Sequence, residues 1–246
     1  MEFHSILLLL TIAFLAYLVK GLTGFGPALI IVPFFTAILG IQFALPAAAI
    51  FDAIAGLLLL ITVFKQISWK FCFPLMISIA IGSFVGANTV FIVSPNLIQI
   101  LIGIFIFLFG IYLWLTNSQK TLIKDVKQKK VMFGATIAGF LGGITGGMIG
   151  MSGPILVIYL KYFFSKEFFR TQLITIFLVE NVVRLIIYYK GGLLSFEESK
   201  IFITCLPTLL IGLWVGHILH IHISEKHFNR VVSSVLILVS LKLVLF

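Results

Sequence analysis

Three runs of this chain hold almost nothing that water would solvate. Ile50 to Phe64, Leu97 to Leu115 and Val231 to Phe246 are nearly free of charge. Apolar stretches of about 18 residues or more suffice to cross a hydrocarbon core about 30 Å thick. In that medium every backbone N–H and C=O must find a partner within the protein, which limits the crossing elements to helices or closed barrels. Of the 246 residues, 61% are hydrophobic and only 10% charged, against about 25% charged in a soluble domain. The expected fold is all-α, a polytopic membrane protein with no room for a separate soluble domain.

The net charge of +9 reads as topological bias rather than affinity for nucleic acid, because the lysines fall in short loops between apolar runs, as the positive-inside rule expects. The one longer polar stretch, "TNSQKTLIKDVKQKK" from Thr116 to Lys130, suits a cytoplasmic linker with some attraction to anionic lipid. The N-terminal "MEFHSILLLL" has no basic n-region, and no small-residue cleavage site precedes the first glycines, so a removable signal peptide is not expected. Cys72 and Cys205 have neither metal-site spacing nor a disulfide framework. His217, His220, His222 and His227 flank a span end without a ligand pattern. No metal and no cofactor are expected.

Against this background "KGLTGFGPALIIVP", Lys20 to Pro33, is an anomaly. A helix broken inside lipid survives only where protein or a water-filled cavity satisfies its backbone. The anomaly also recurs. Gly26-Pro27 opens an apolar run, and Gly153-Pro154 does so 127 residues later; the same offset takes Ser68-Trp69 to Ser195-Phe196. "IGSFVG" from Ile81 answers "IGLWVG" from Ile211, and Ser94 answers Ser224, both at an offset of 130. "CFP" at Cys72 pairs with "CLP" at Cys205. Matches in colinear order indicate an internal repeat: residues 1–115, a linker at 116–130, and residues 131–246.

Each repeat holds one long interrupted segment, about Ser5–Leu39 or Val131–Phe164, and then three ordinary spans. These are Phe43–Phe64, Lys70–Val93 and Leu97–Leu115, then Thr171–Lys190, Lys200–His220 and Lys226–Leu245. A straight helix of the interrupted length, at about 1.5 Å per residue, would overrun the bilayer. A hairpin of two half-penetrating helices fits instead. Under that model twelve lysines and arginines share one face, Lys65, Lys70, Lys129, Lys130 and Arg170 among them, and only Lys190, Lys200 and Lys242 take the other. Single crossings give a weaker ten-to-five division. The hairpin model turns the second repeat upside down and puts both termini outside the cytoplasm. Inverted repeats whose broken helices meet at mid-membrane characterise secondary transporters.

The breaks also have a chemistry. Proline fits the first helical position, where its missing N–H costs nothing, and the neighbouring amides then face outward at the positive end of the helix dipole. Such an end is an anion site. Thr23, Gly24, Phe25, Gly26 and Pro27, with Ser152, Gly153 and Pro154, are therefore the candidate binding residues, with Lys20 as a counter-charge and Arg184 as an anion ligand. Asp52, in "PAAAIFDAIAGLLLLI", and Glu180, in "FLVENVVRLIIYY", are candidate proton sites, since intramembrane ionisable residues mark pathways or relays. Glu180 and Arg184 are four apart and can also pair with each other. Gly139, Gly142, Gly143, Gly146, Gly147 and Gly150 form one helical face suited to close packing, as do Gly82/Gly86 and Gly212/Gly216. "GMSG" at Gly150 has the form of an intramembrane serine protease motif, with His217 as a distant partner, but its counterpart "TGFGP" has no serine.

"VKGLTGFGPALIIVP", together with "GGMIGMSGPILVIYL", "FFRTQL", "ISW" at Ile67 and the later "GGLL", resembles the two signatures of the sulfite exporter TauE/SafE family, over about Ala13 to Leu241. The resemblance implies a permease of a prokaryotic cytoplasmic membrane that moves sulfite, organosulfonates or related small sulfur anions. The family motifs fall on Gly21, Gly24, Phe25, Gly26 and Pro33, and on Gly150, Ser152, Gly153, Pro154 and Arg170. Pro27 stands where many members have another small or apolar residue, and Asp52, Glu180 and Arg184 are not assigned by the family pattern. The expectation is a non-enzymatic transporter of a small oxyanion, by alternating access and with proton coupling as an option. An anion channel and the protease are the alternatives. The partners expected are the anion and membrane lipid, without nucleic acid, and a homo-oligomer is compatible with the sequence.

Overall fold

A computed structural model describes residues 3–23, 26–115, 128–160, 162–194 and 199–219, with Ile237 and Ser240. Among the described residues there are only helices: α1 (Phe3–Thr23), α2 (Ala28–Leu39), α3 (Ile41–Val63), α4 (Trp69–Thr89), α5 (Pro95–Leu115), α6 (Gln128–Ile149), α7 (Gly153–Leu160), α8 (Lys166–Lys190) and α9 (Ser199–Leu219), with a 3₁₀ turn at Phe64–Gln66. The expected spans match α3, α4, α5, α8 and α9 within a few residues. The span Lys226–Leu245 apart from Ile237 and Ser240, most of the linker, and Gly24 and Phe25 lie outside the described residues.

Seven of the described helices, all but α2 and α7, are long and apolar enough to cross a membrane. The chain is a multi-pass membrane protein. This corrects one expectation, because the first arm of each interrupted segment is not half-length. α1 has 21 residues and α6 has 22, about 32 Å at 1.5 Å per residue. Only the second arms are short: α2 has 12 residues and α7 has 8. Glycine at the breaks has a specific cause. Gly26 and Gly150 take φ of 90° and 81°, which a Cβ would oppose. Pro27 lies just before α2 with helical torsions (φ −64°, ψ −31°), and Pro154 is the second residue of α7. Both fall within the first turn, where no amide hydrogen is missed.

The chain divides into two compact units, each drawing on both sequence halves. One unit holds α1, α2, the start of α3, α5 and α9. There α1 packs on α9. A Cβ on Gly212 or Gly216 would strike the backbone of Phe14 or Leu18, and one on Gly21 would come within 2.5 Å of the Leu213 carbonyl oxygen. Phe14 meets Gly212 while Gly21 meets Gly216, so α1 and α9 run in the same direction.

The other unit holds the rest of α3 with α4, α6, α7 and α8. Ser78 faces Gly139, Gly82 faces Gly143, and Ala87 faces Gly147, so α4 and α6 are parallel and nearly in backbone contact. Glycine on both helices is what permits this approach. α8 runs with them. At one end Phe71 stacks edge-on against Phe164 and Phe168, and at the other Phe91 abuts Gly191. Buried Gln172 accepts from the Ser68 N–H at 2.8 Å and donates to the Gln66 carbonyl at 3.3 Å, pinning the α3–α4 junction to the start of α8. α3 runs the opposite way, since Gly56 lies against Leu178. Lys65, Lys70, Lys129, Lys130 and Arg170 therefore gather at one end of this unit and Lys190 at the other, the segregation expected from charge bias.

Candidate functional site

The second break is a true hairpin. The Tyr159 hydroxyl, near the end of α7, donates to the carbonyl of Val131, near the start of α6, at 3.0 Å. Gly142 faces Ser152 and Leu156, and Gly134 faces the Tyr159 ring. α7 thus folds back along α6, and a side chain at Gly134 would displace the Tyr159 ring from its place. The turn is tied by the Gly150 N–H donating to the Gly146 carbonyl at 2.8 Å, and by the Thr145 hydroxyl donating to the Met151 carbonyl at 3.3 Å.

Ser152 immediately precedes α7. Its hydroxyl donates to Glu180 Oε2 at 2.5 Å, and the two residues are 5% and 2% exposed. The other carboxylate oxygen, Oε1, lies where a side chain on Gly146 would be. Glycine at 146 is what admits the carboxylate. The Gly-Pro break of the second half, expected to present its first turn to an anion, has a resident carboxylate beside it. The first-turn amides of any helix have no intrahelical acceptor, and a negative charge there is favoured by the dipole.

Arg184 lies one turn further along α8 and is 1% exposed. Its Nη1 donates to Asn181 Oδ1 at 3.1 Å, and Asn181 Nδ2 donates to the Phe177 carbonyl at 2.8 Å. The guanidinium lies 5.6 Å from the centre of the Tyr188 ring, a cation–π geometry. Tyr188, itself buried, donates its hydroxyl proton to the Gly147 carbonyl at 2.9 Å. Glu180 and Asp52 both act electrostatically on the Arg184 charge, and Asp52 is 7% exposed. The buried polar centre of this unit thus brings together Ser152, Glu180, Arg184 and Asp52, all named from the sequence. Asn181, Tyr188, Gly146 and Gly147 complete it. Tyr188 was the residue missed, and its signal was available: Glu180, Arg184 and Tyr188 are spaced i, i+4 and i+8, one helical face.

The first-half candidates belong to the other unit. Lys20 is 4% exposed, with Nζ 5.7 Å from the centre of the Tyr17 ring. Thr23 closes α1, and Gly26 and Pro27 lead into α2, where the N–H groups of Leu29 and Ile31 donate to the Gly26 and Pro27 carbonyls at 3.1 and 2.8 Å. Gly21, a resemblance residue, serves the α1–α9 contact. Among the described residues no cluster of three or more histidine, cysteine or acidic side chains is placed to hold a metal. The nearest partner of the Ser152 hydroxyl is a carboxylate.

Apolar helices long enough to span a bilayer, with a short helix that folds back beside buried charge, define a polytopic membrane protein with a buried polar centre. The family model described as "Sulfite exporter TauE/SafE" matches residues 9–243, and the chain belongs to that family. It is a family of membrane transporters for a small anion, consistent with the expectation of a non-enzyme. No curated protein and no solved structure matches the chain.

Proposed function

We propose that this protein is a secondary transporter of a small oxyanion, sulfite or an organosulfonate, working by alternating access in a prokaryotic cytoplasmic membrane. The observation that carries the reading is the cation Arg184, fully buried in a spanning helix one turn from a carboxylate that is hydrogen-bonded at the start of a half-helix. Intramembrane ionisable residues are retained where they serve a pathway, and half-helix ends are where secondary transporters hold anionic groups. In this reading the α7 end, Ser152, Gly153, Pro154 and Arg184 bind the anion in one unit. Lys20, Thr23, Gly24, Phe25, Gly26 and Pro27, at the repeat-equivalent break, are the corresponding binding residues of the other unit.

The two sequence repeats, residues 1–115 and 131–246 around the linker at 116–130, are proposed to be inverted. Supporting this in the second half, α7 folds back toward the side from which α6 starts; with the span expected at 226–245, that half would make an odd number of net crossings. Both termini then lie outside the cytoplasm, with the Lys65/Lys70/Lys130 end inside. The experiment is uptake into proteoliposomes tested against sulfite, thiosulfate, sulfoacetate, sulfate and small carboxylates. Saturable uptake of the sulfur oxyanions, lost in Arg184→Gln, is expected. Unsaturated, channel-like flux or preference for carboxylates would overturn the reading.

A further inference from the structure

Resting on the site just described, we propose that Glu180 is a tethered resident anion that the substrate must displace, so that anion binding requires protonation of Glu180. A serine hydroxyl has one proton to donate. Here that proton goes to Glu180 Oε2 at 2.5 Å, so a substrate oxygen at the start of α7 and the Glu180 carboxylate compete for the same donor. The carboxylate is fitted to its place, because its other oxygen occupies the space left by the missing side chain of Gly146.

The charge inventory leads to the same conclusion. On α8 the group facing Glu180 is Arg184, backed by Tyr188. From α3 comes Asp52, which also acts on Arg184. α6 offers Gly146 and Gly147 at this level, its lysines 129 and 130 lying in its first turn. The one charge of α4, Lys70, is likewise in its first turn, and α4 brings uncharged Ser83 against Gly143 and Gly147. α7 has no charge, and its Tyr159 is bonded to Val131 at the far end. One guanidinium thus faces two carboxylates, and the ionised cluster is net negative before any substrate arrives. A buried site of that sign rejects a second anion unless a carboxylate is neutralised. When a proton from the open side converts Glu180 to its neutral acid, its hold on Ser152 is weakened. The hydroxyl and the first-turn amides of α7 then turn to the substrate, with Arg184 as counter-ion. Proton and anion load together.

The test measures binding of thiosulfate and of methanesulfonate, probes whose own charge is constant across the pH range used, to the purified full chain in detergent. For one linked proton, wild-type affinity should fall about tenfold per pH unit on the alkaline side, with about one proton taken up per anion in weakly buffered solution. Glu180→Gln should bind with pH-independent affinity and no proton uptake. Persistence of the slope in Glu180→Gln would overturn the assignment. Should Glu180→Gln fail to fold, wild-type proton uptake decides, and uptake near zero refutes the proposal. If neither probe binds wild type or variant at any pH, the anion site itself falls. If both bind without proton uptake, the site stands and only the role of Glu180 is lost.

Discussion

Replacing Arg184 with methionine asks whether the buried charges on α8 act as one network. The guanidinium is 1% exposed, bonded to Asn181 at 3.1 Å and set over the Tyr188 ring, with Glu180 and Asp52 acting on its charge. Methionine keeps much of the volume and none of the charge, so two carboxylates lose their cation in a medium that cannot hydrate them. Removing one partner of a buried ionic set costs about 3–5 kcal/mol. Glu180→Gln removes one stranded charge and keeps an acceptor for Ser152. Alone it should cost about 1–2 kcal/mol, since a charged hydrogen bond becomes a neutral one. The double variant should then be destabilised by about 1.5–3 kcal/mol less than the sum of the two single changes. Equilibrium unfolding in mixed micelles at neutral pH, followed by tryptophan fluorescence, gives all three values. Additivity within about 0.5 kcal/mol would show that the residues do not share a network, and the reasoning would be refuted.

Gly143→Ala places a Cβ against the Ile79 carbonyl and 2.9 Å from the Ser83 nitrogen. Because backbone cannot move aside, a loss at the upper end of the 1–3 kcal/mol range for overpacking, about 3 kcal/mol, is expected in the same unfolding assay. An unchanged midpoint would contradict the α4–α6 contact. Tyr159→Phe removes the hydrogen bond that fastens α7 to the start of α6; a loss of about 1 kcal/mol and faster amide exchange through α7 are expected, and unaltered exchange would argue against the fold-back. Single cysteines at Lys130 and Lys190 in a background lacking Cys72 and Cys205 should label with impermeant reagent from opposite sides of sealed vesicles, and labelling from the same side would refute the parallel course of α6 and α8.

Spans were legible because hydrophobic length is a local property of the chain. The break positions were legible because glycine followed by proline has few other uses inside an apolar run. Arm lengths were not. Nothing local separates a half-penetrating helix from the full α6, because the pattern does not say how the interrupted length is shared between its two arms. The glycines of α6 were legible as one packing face, and in the fold 139, 143 and 147 lie against α4 while 142 and 146 lie toward α7 and Glu180. The Glu180–Arg184 spacing announced a pair on one face, but not that Ser152, 28 residues upstream of Glu180, would take the carboxylate. That contact depends on α7 folding back along α6, a tertiary event that the one-dimensional pattern does not encode. Tyr188 was overlooked because an aromatic near a span end usually anchors at the interface, whereas this one is buried and bonded to Gly147.

The most direct test of an anion held at the α7 turn is substrate protection of a thiol placed there. Ser152→Cys, in a chain lacking Cys72 and Cys205 and reconstituted in liposomes, would be labelled with a small permeant thiol reagent with and without the transported anion. Labelling slowed by saturating anion, and not by an equal concentration of a non-transported anion, is the predicted result. A rate indifferent to the anion that wild type carries would contradict it.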